Sequence, residues 1–149
     1  MHFSKASTYG IRSVAYIAAQ GDEAVVSIRE LSDRLQIPAA FLTKVMQRLA
    51  TGNIVKTMRG YGGGISLHKA PSEISLKDVI LTIDGEEAFQ QFWLGIPEEH
   101  MKQVPAFHSK WIELNNNIDA FFTNTCMTEL FPYEKINKVN DPETSSTFF

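Results

Sequence analysis

A cluster of four glycines within five residues places a sharp turn near the middle of this chain. The glycines occupy positions 60, 62, 63 and 64, and β-prone runs flank them at residues 54–58 and 65–68. Glycine adopts backbone conformations that other residues avoid, and short β-prone runs on both sides of such a turn are typical of a hairpin. The cluster does not match a nucleotide-binding loop. A Rossmann fingerprint would need glycine where Ile65 stands, and no Gly-Lys-Ser/Thr triplet follows.

Helical patterns precede and follow the predicted hairpin. Apolar residues recur at helical spacing over residues 4–20, 27–35, 38–51 and 75–83. Ser27, with Glu30 three residues later, has the pattern of a capping box, and Pro38 suits the first turn of the next helix. A short helix, a three-residue turn and a second helix with a polar and basic outer face predict a helix-turn-helix, of which the hairpin is the wing.

A longer helical pattern occupies residues 107–130. Its large apolar residues follow a spacing close to that of a heptad seam. A lone helix with so many of them needs a partner, and a second copy of the chain is the simplest one. The pattern therefore predicts a homodimer, with dimerisation residues Trp111, Leu114, Ile118, Phe121 and Phe122.

These patterns together predict a mainly α fold with a small β-hairpin. Residues 1–83 form a winged helix-turn-helix domain, and residues 84–106 form a connecting, sensor-like segment. Residues 107–131 form a long C-terminal dimerisation helix. Residues 132–149 contain two prolines and mostly polar side chains, and we expect a disordered tail there.

The charge distribution indicates an anionic partner for the first half of the chain. No acidic residue stands between Asp33 and Glu73, whereas this stretch carries six basic residues. Residues 1–80 hold 10 Lys and Arg against 6 Asp and Glu, a net charge of +4. Residues 81–149 hold 4 against 11, a net charge of −7. Lys and Arg near phosphates release condensed counterions, so double-stranded DNA is the expected partner.

Composition excludes several other classes of protein. The single cysteine, Cys126, rules out a disulfide framework and a metal site built only from cysteines within one chain. No signal peptide and no apolar run of membrane-spanning length is visible, so we expect a cytoplasmic protein without a membrane partner. We find no nucleophile–base pair, no paired carboxylates in an apolar setting and no metal motif, and therefore predict no enzymatic activity, no catalytic residues and no cofactor or metal site.

Several motifs resemble one family. They are YGIR at residues 9–12, VSIREL at 26–31, IP at 37–38 and VKTMRGYGGGISL at 55–67. The chain resembles the winged-helix family of the iron–sulfur cluster regulator IscR and the nitric-oxide-sensing repressor NsrR. The resemblance implies a homodimer on a palindromic operator, with the second helix of the helix-turn-helix in the major groove, the wing in the minor groove and the long helix exchanged across the dimer.

The DNA-contacting residues predicted from this resemblance and from the basic stretch are Ser27, Ala39, Ala40, Phe41, Thr43, Lys44, Arg48, Arg59, Gly60, Tyr61 and Gly62. At two of the family's reading positions, Thr43 and Lys44 replace the commoner Glu and Gln, so the operator preference is expected to differ. Tyr61 stands where relatives often carry proline, which affects the stiffness of the wing.

The main departure from the family concerns its sensor. Cluster-binding members carry three cysteines between the fourth helix and the long helix, and residues 84–107 contain none. Iron–sulfur clusters rest mainly on cysteine thiolates, so the usual ligands are missing. Cys126 is either a redox thiol or a small buried residue. For Cys126 the buried residue is favoured. The aromatic patch over residues 89–93, with Trp111, Phe121 and Phe122, lines either an apolar pocket for a small-molecule effector or the dimer core, and the dimer core is favoured.

The function predicted from the sequence is a homodimeric, sequence-specific DNA-binding regulator of transcription, acting as a repressor on a palindromic operator without the family's cluster. The alternative is a winged-helix module that dimerises or recruits a partner through residues 84–130 and has lost DNA binding. The two differ in salt dependence, because several phosphate contacts give a steep loss of affinity with added salt.

Overall fold

A computed structural model describes residues 3–89 and 95–130 of the 149-residue chain. It contains a two-stranded antiparallel sheet among helices, so the predicted mainly α fold with a hairpin is confirmed. The helices are α1 (Lys5–Ala19), α2 (Ile28–Leu35), α3 (Ala39–Thr51), α4 (Leu76–Asp84), α5 (Glu98–Met101), α6 (Pro105–Asn124) and α7 (Met127–Leu130). The strands are β1 (Val55–Met58) and β2 (Gly64–Leu67), and short 3-10 turns lie at Pro71–Glu73 and Glu86–Ala88.

Local signals set the ends of the first two helices. Ser4 caps α1 by accepting a hydrogen bond from the Ser7 amide, and Ser27 caps α2 by accepting one from the Glu30 amide. Gln36 ends α2 in the left-handed conformation, with φ 54° and ψ 44°. The apolar faces of α1 to α4 and the second strand of the hairpin enclose one core, whose fully buried side chains include Ile17, Leu31, Ile37, Leu42, Met46, Leu49, Ile74 and Ile80.

The hairpin joins this core through its second strand. β1 and β2 pair from Val55 opposite Leu67 to Met58 opposite Gly64. Val26, just before α2, forms an isolated bridge with Ile65, in which each amide donates to the other residue's carbonyl oxygen at 2.8 Å. The wing is therefore anchored to the residue that precedes the cap of α2.

The long C-terminal helix is interrupted. The sequence pattern predicted one helix over residues 107–130, but α6 ends at Asn124 and Thr125 is extended, with φ −89° and ψ 114°. The amide of Leu76 donates to the carbonyl oxygen of Thr125, and the amide of Met127 donates to that of Ile74, each at 2.9 Å. Helical spacing continued past Thr125, but these backbone hydrogen bonds and the burial of Met127 favour an extended turn back to the core.

An aromatic cluster connects α6 with the start of the chain and with the segment after α4. Phe122 lies edge-on to Phe3 and to Phe89, at ring-centroid distances of 5.1 and 5.5 Å. Lys77 on α4 also pairs with Asp119 on α6. Residues 90–94 of the predicted aromatic patch and the predicted tail at 132–149 lie outside the described residues.

Candidate nucleic-acid interface

The helix α3 separates its residues into a buried and an exposed face. Leu42, Val45, Met46 and Leu49 are at most 2 % exposed and hold the helix on the core. The helix contains no acidic residue, and its first turn follows Pro38 without a side-chain cap. All the residues predicted to contact DNA from this helix are on the exposed side: Ala39, Ala40, Phe41, Thr43, Lys44 and Arg48.

Hydrogen bonds between helices fix the orientation of the helix-turn-helix. Ser32 donates from Oγ to the carbonyl oxygen of Ile37 at 2.7 Å, across the turn between α2 and α3. Arg12 on α1 donates from Nη2 to the carbonyl oxygen of Leu35 at 2.9 Å and so satisfies the end of α2. Such bonds define the angle between the two helices, on which insertion of the second one into a groove depends.

An aromatic contact between Tyr9 and Phe41 joins α1 to the start of α3. Phe41 is 44 % exposed, and its ring meets the edge of Tyr9 on α1 at a centroid distance of 5.4 Å. This geometry is a favourable aromatic pairing. The ring of Phe41 is thus positioned by the protein while much of its surface stays accessible.

The wing presents an exposed tip on a tight turn. Arg59, Gly60, Tyr61 and Gly62 are all exposed, and Tyr61 is fully so. Gly60 and Gly62 have φ values of 95° and 75°, in the region that favours glycine. At Gly63 a Cβ atom would lie 2.4 Å from the carbonyl oxygen of Met58, so the turn requires the absence of a side chain there.

The basic residues of the acid-free stretch are accessible. All six are exposed: Arg34, Lys44, Arg48, Lys56, Arg59 and Lys69. Ser27 is also exposed, although its hydroxyl already accepts from the Glu30 amide at 3.0 Å. Because Val26 pairs with Ile65, Ser27 follows a residue that is bonded to the strand leaving the wing turn. These positions give the first domain an accessible positive charge on both α3 and the wing.

Arg48 differs from the other predicted DNA contacts. Its Nη1 donates to the carbonyl oxygen of Ile83 at 3.2 Å, near the end of α4. The next residue, Asp84, accepts hydrogen bonds from the amide and the hydroxyl of Ser4. Burial acts to raise the pKa of Asp84, but the Ser4 donors and the charge of Arg48 outweigh it and leave the pKa below its usual value. This part of the helix is therefore coupled to the first and fourth helices.

The predicted dimerisation stripe is largely accessible on α6. None of the residues of this helix is fully buried; Leu114 is 43 % exposed and Phe121 is 57 % exposed. Trp111 and Ile118 are half-buried. Phe122 has a different environment, because its ring packs against Phe3 and Phe89 of the same chain.

Two exposed residues were not among the predicted site residues. Phe107 stacks on Trp111 at a centroid distance of 6.5 Å and an interplanar angle of 11°, so it extends the α6 stripe by one turn. Its spacing of four residues from Trp111 was the available signal. Gln47 lies on the exposed side of α3, seven residues after Ala40 and three after Lys44; helical spacing places it on this outer face, but it was not predicted to contact DNA.

The described residues offer no built metal site. No group of three or more His, Cys, Asp and Glu side chains converges within residues 3–89 and 95–130. Cys126 is half-buried, and its thiol donates to Glu129 Oε1 at 3.1 Å. No helix in the described part of the chain is both long and apolar enough to cross a membrane.

The sequence is similar to those of known regulators of transcription. A model of the Rrf2 family, described as iron-dependent transcriptional regulators, matches residues 3–132. An Aquifex aeolicus protein named as an HTH-type transcriptional regulator is 32 % identical over 138 residues, covering 91 % of this chain and 94 % of that protein. The regulator IscR of Serratia proteamaculans is 26 % identical over 147 residues, covering 99 % of this chain and 89 % of its own length.

Solved structures share the fold at lower identity. CymR, the global cysteine regulator of B. subtilis, superposes with a TM-score of 0.71 and 18 % identity, covering 87 % of this chain and 95 % of CymR. IscR of T. potens gives a TM-score of 0.65 and 20 % identity, covering 87 % of this chain and 85 % of that one. The family's description mentions iron, whereas the whole sequence of this chain holds a single cysteine, and iron–sulfur clusters rest mainly on cysteine thiolates.

Proposed function

The chain belongs to the Rrf2 family of transcriptional regulators, and on that premise we propose that it is a cytoplasmic, sequence-specific repressor that binds a palindromic operator as a homodimer. Membership of this family and the named relatives make it a DNA-binding regulator rather than an enzyme. One observation carries the more specific proposal: the longest acid-free stretch of the sequence, residues 34–72, exposes all six of its basic residues.

The residues of this stretch divide into two roles on the duplex. The exposed face of α3 enters the major groove, where Ala39 and Ala40 allow close approach and Phe41, Thr43 and Lys44 face the bases. Arg59 enters the minor groove, carried by a tip in which Gly60 and Gly62 leave room for the phosphate backbone and Tyr61 extends outward. Ser27 and Arg48 contact phosphates at the edge of the site. Only Nη1 of Arg48 donates to Ile83, so the other N–H groups of its guanidinium can bind a phosphate.

Dimerisation supplies the symmetry of the operator. The stripe on α6 exposes large apolar side chains that a second copy of the helix would bury. Trp111, Leu114, Ile118 and Phe121 form this interface, and Phe122 supports it from within its own chain through Phe3. A twofold dimer places two recognition helices on two half-sites, and this arrangement requires a palindrome.

A salt titration of operator binding tests the DNA-binding role. The operator is first selected from a pool of random duplexes, and the dissociation constant is then measured between 50 and 200 mM salt. We expect a fall in affinity of about 10³-fold or more, as for proteins with several phosphate contacts. Arg59→Ala should weaken binding and flatten the slope. Lys102→Ala serves as the control, because Lys102 pairs with Glu98 on α5, outside the proposed surface.

The alternative function, a dimerisation module that has lost DNA binding, predicts the opposite results. Binding would be weak, no sequence would be selected and Arg59→Ala would have no effect. Such results would contradict the proposed repressor function.

We further propose that the protein works without the family's iron–sulfur cluster. Three thiolates cannot be supplied by Cys126 alone. The absorbance spectrum of anaerobically purified protein tests this point, since a cluster gives a brown protein with visible bands and an apo-protein absorbs in the ultraviolet only.

Cys126 then has either a redox role or a structural one. The Cys126→Ser variant separates these roles by its effect on oxidant-dependent operator binding.

A further inference from the structure

The exposed face of α3 offers fewer free hydrogen-bonding groups than its sequence suggests. Thr43 donates from Oγ1 to the carbonyl oxygen of Ala39 at 2.9 Å, and Thr51 donates from Oγ1 to that of Gln47 at 3.0 Å. Both hydroxyl hydrogens are therefore used within the helix. Arg48 is engaged with the carbonyl oxygen of Ile83, which draws its guanidinium towards α4.

Lys44 and Gln47 are the side chains on this face whose hydrogen-bond donors are not used within the described residues. Neither the ammonium of Lys44 nor the amide of Gln47 makes a hydrogen bond or ion pair with the residues that the structure describes. Both are exposed and lie three residues apart, on one stripe with Ala40. The small side chain of Ala40 lets this stripe approach a groove closely.

Their chemistry selects particular bases. In the major groove Lys pairs with the O6 and N7 acceptors of guanine, and Gln pairs with the N6 donor and N7 acceptor of adenine. Cytosine is read by a carboxylate that accepts from its N4 amine, and α3 contains no Asp or Glu. The methyl groups of Ala40 and Thr43 suit apolar contact with the 5-methyl group of thymine.

The spacing along the helix sets the spacing along the DNA. Three residues of an α-helix rise about 4.5 Å, and successive base pairs are about 3.4 Å apart. Side chains at positions 44 and 47 thus reach base pairs that are neighbours or next neighbours.

We propose that Gln47 determines operator specificity by reading an adenine, one or two base pairs from a guanine read by Lys44. This inference rests on the proposed function, since it assigns base contacts to a helix already taken to bind the major groove. It adds a reading residue beyond the positions suggested by family resemblance and gives the half-site a predicted composition: a guanine, a nearby adenine and no cytosine contacted through a carboxylate.

Selection of half-sites by the full-length protein tests the assignment. Wild-type protein and the variants Gln47→Ala, Gln47→Glu and Lys44→Ala are each used to select duplexes from the same random pool. We expect Gln47→Ala to lose the preference for adenine at one symmetric position, with discrimination reduced about 5- to 150-fold, as for one bidentate base contact. Gln47→Glu should move the preference at that position to cytosine, because the carboxylate only accepts.

Lys44→Ala should remove the guanine preference at a different position. Gln103→Ala, which alters an exposed glutamine between α5 and α6, should select the wild-type half-site. Thermal unfolding and binding to unrelated DNA show that each variant is folded.

The outcomes separate this inference from the proposed function. If wild-type protein selects no sequence, the proposed function fails. If it selects a palindrome and Gln47→Ala selects the same bases at every position, the role of Gln47 alone is overturned. If Lys44→Ala and Gln47→Ala change the preferred base at the same position of the half-site, the proposed separation of one or two base pairs between their contacts is wrong.

Discussion

Arg48 on α3 donates a hydrogen bond of 3.2 Å from Nη1 to the carbonyl oxygen of Ile83, in the last turn of α4. This bond satisfies one of the carbonyl groups that a helix end leaves without an internal partner. It also connects the C-terminal part of the proposed recognition helix with the residue before Asp84, where the connecting segment begins. Arg48, which was predicted from the sequence to bind DNA through its charge, therefore also contributes to the packing of α3 on α4.

Removal of the Arg48 side chain should affect stability and DNA binding separately. Arg48→Ala is expected to lower the free energy of unfolding by about 1 kcal/mol, because the Ile83 carbonyl loses its partner. Operator affinity should fall without a change in the selected bases, since a phosphate contact carries no sequence information. Urea denaturation and half-site selection measure the two effects. Arg34→Ala, at an exposed arginine on α2, is the control for charge alone, and equal stability of the two variants would contradict the structural role.

Asp84 should make stability depend on pH in the acid range. Its folded-state pKa is lowered below the usual 3.8, so the ionised form is favoured in the folded state. The resulting stabilisation is fully present above the unfolded pKa, near 4, and is lost as pH falls through the lower folded pKa. Asp84→Asn should be less stable than wild type at pH 7, and the difference should shrink towards pH 2.

Urea denaturation between pH 2 and 7 gives this comparison. Asp22→Asn is the matched control, since Asp22 is an exposed aspartate on the loop after α1. A constant difference between Asp84→Asn and wild type over the whole range would show that the carboxylate does not carry the effect.

Gly63→Ala should damage the wing without removing any charge. The added Cβ would lie 2.4 Å from the carbonyl oxygen of Met58 and 2.9 Å from that of Gly60, and backbone atoms cannot move as a side chain can. We expect a loss of about 1–3 kcal/mol in the free energy of unfolding, together with weaker operator binding. Arg59→Ala is the complementary variant and should weaken binding with little change in stability. Unaltered stability of Gly63→Ala would mean that the turn has another conformation.

A charge in the α6 stripe should separate the dimer. Leu114→Asp introduces a carboxylate into a surface that the partner helix would bury, and the dimer dissociation constant should rise about 30-fold or more. Ile112→Asp is a close control, because Ile112 is 45 % exposed, as against 43 % for Leu114, and points away from the stripe. Light scattering after size-exclusion chromatography gives the masses. Equal dissociation by both changes, or by neither, would contradict the assigned face.

Much of the interface could be predicted because its signals are local. The apolar spacing of α1 to α4 matches the helical period, Ser27 caps α2, and the glycine cluster permits one kind of turn. The exposed face of α3 follows from the same period, since burial of Leu42, Val45, Met46 and Leu49 leaves the other positions outside. Both Lys44 and Gln47 are placed on the outer face in this way, although only Lys44 was predicted to contact DNA.

Contacts between distant parts of the chain decided the rest. Ser27 and Glu30 have the pattern of a capping box, but the Glu30 carboxylate accepts a hydrogen bond of 2.9 Å from the hydroxyl of Tyr16 on α1. The continuous helical pattern at the C-terminus is broken at Thr125 because residues 74–76 provide backbone partners there. In both cases the competing partner is more than a dozen residues away, so no local pattern could reveal it.

The sequence by itself determined the winged helix-turn-helix, its positive charge and the lack of three cluster cysteines, because periodicity, turn residues and composition act at short range or over the whole chain. Only the tertiary structure decided that Arg48 binds Ile83, that Phe122 packs inside its own chain and that Lys44 and Gln47 make no hydrogen bond with residues 3–89 and 95–130 through their side-chain donors. A hydrogen bond or ring contact depends on which groups folding brings together in space, and spacing along one element does not contain that information.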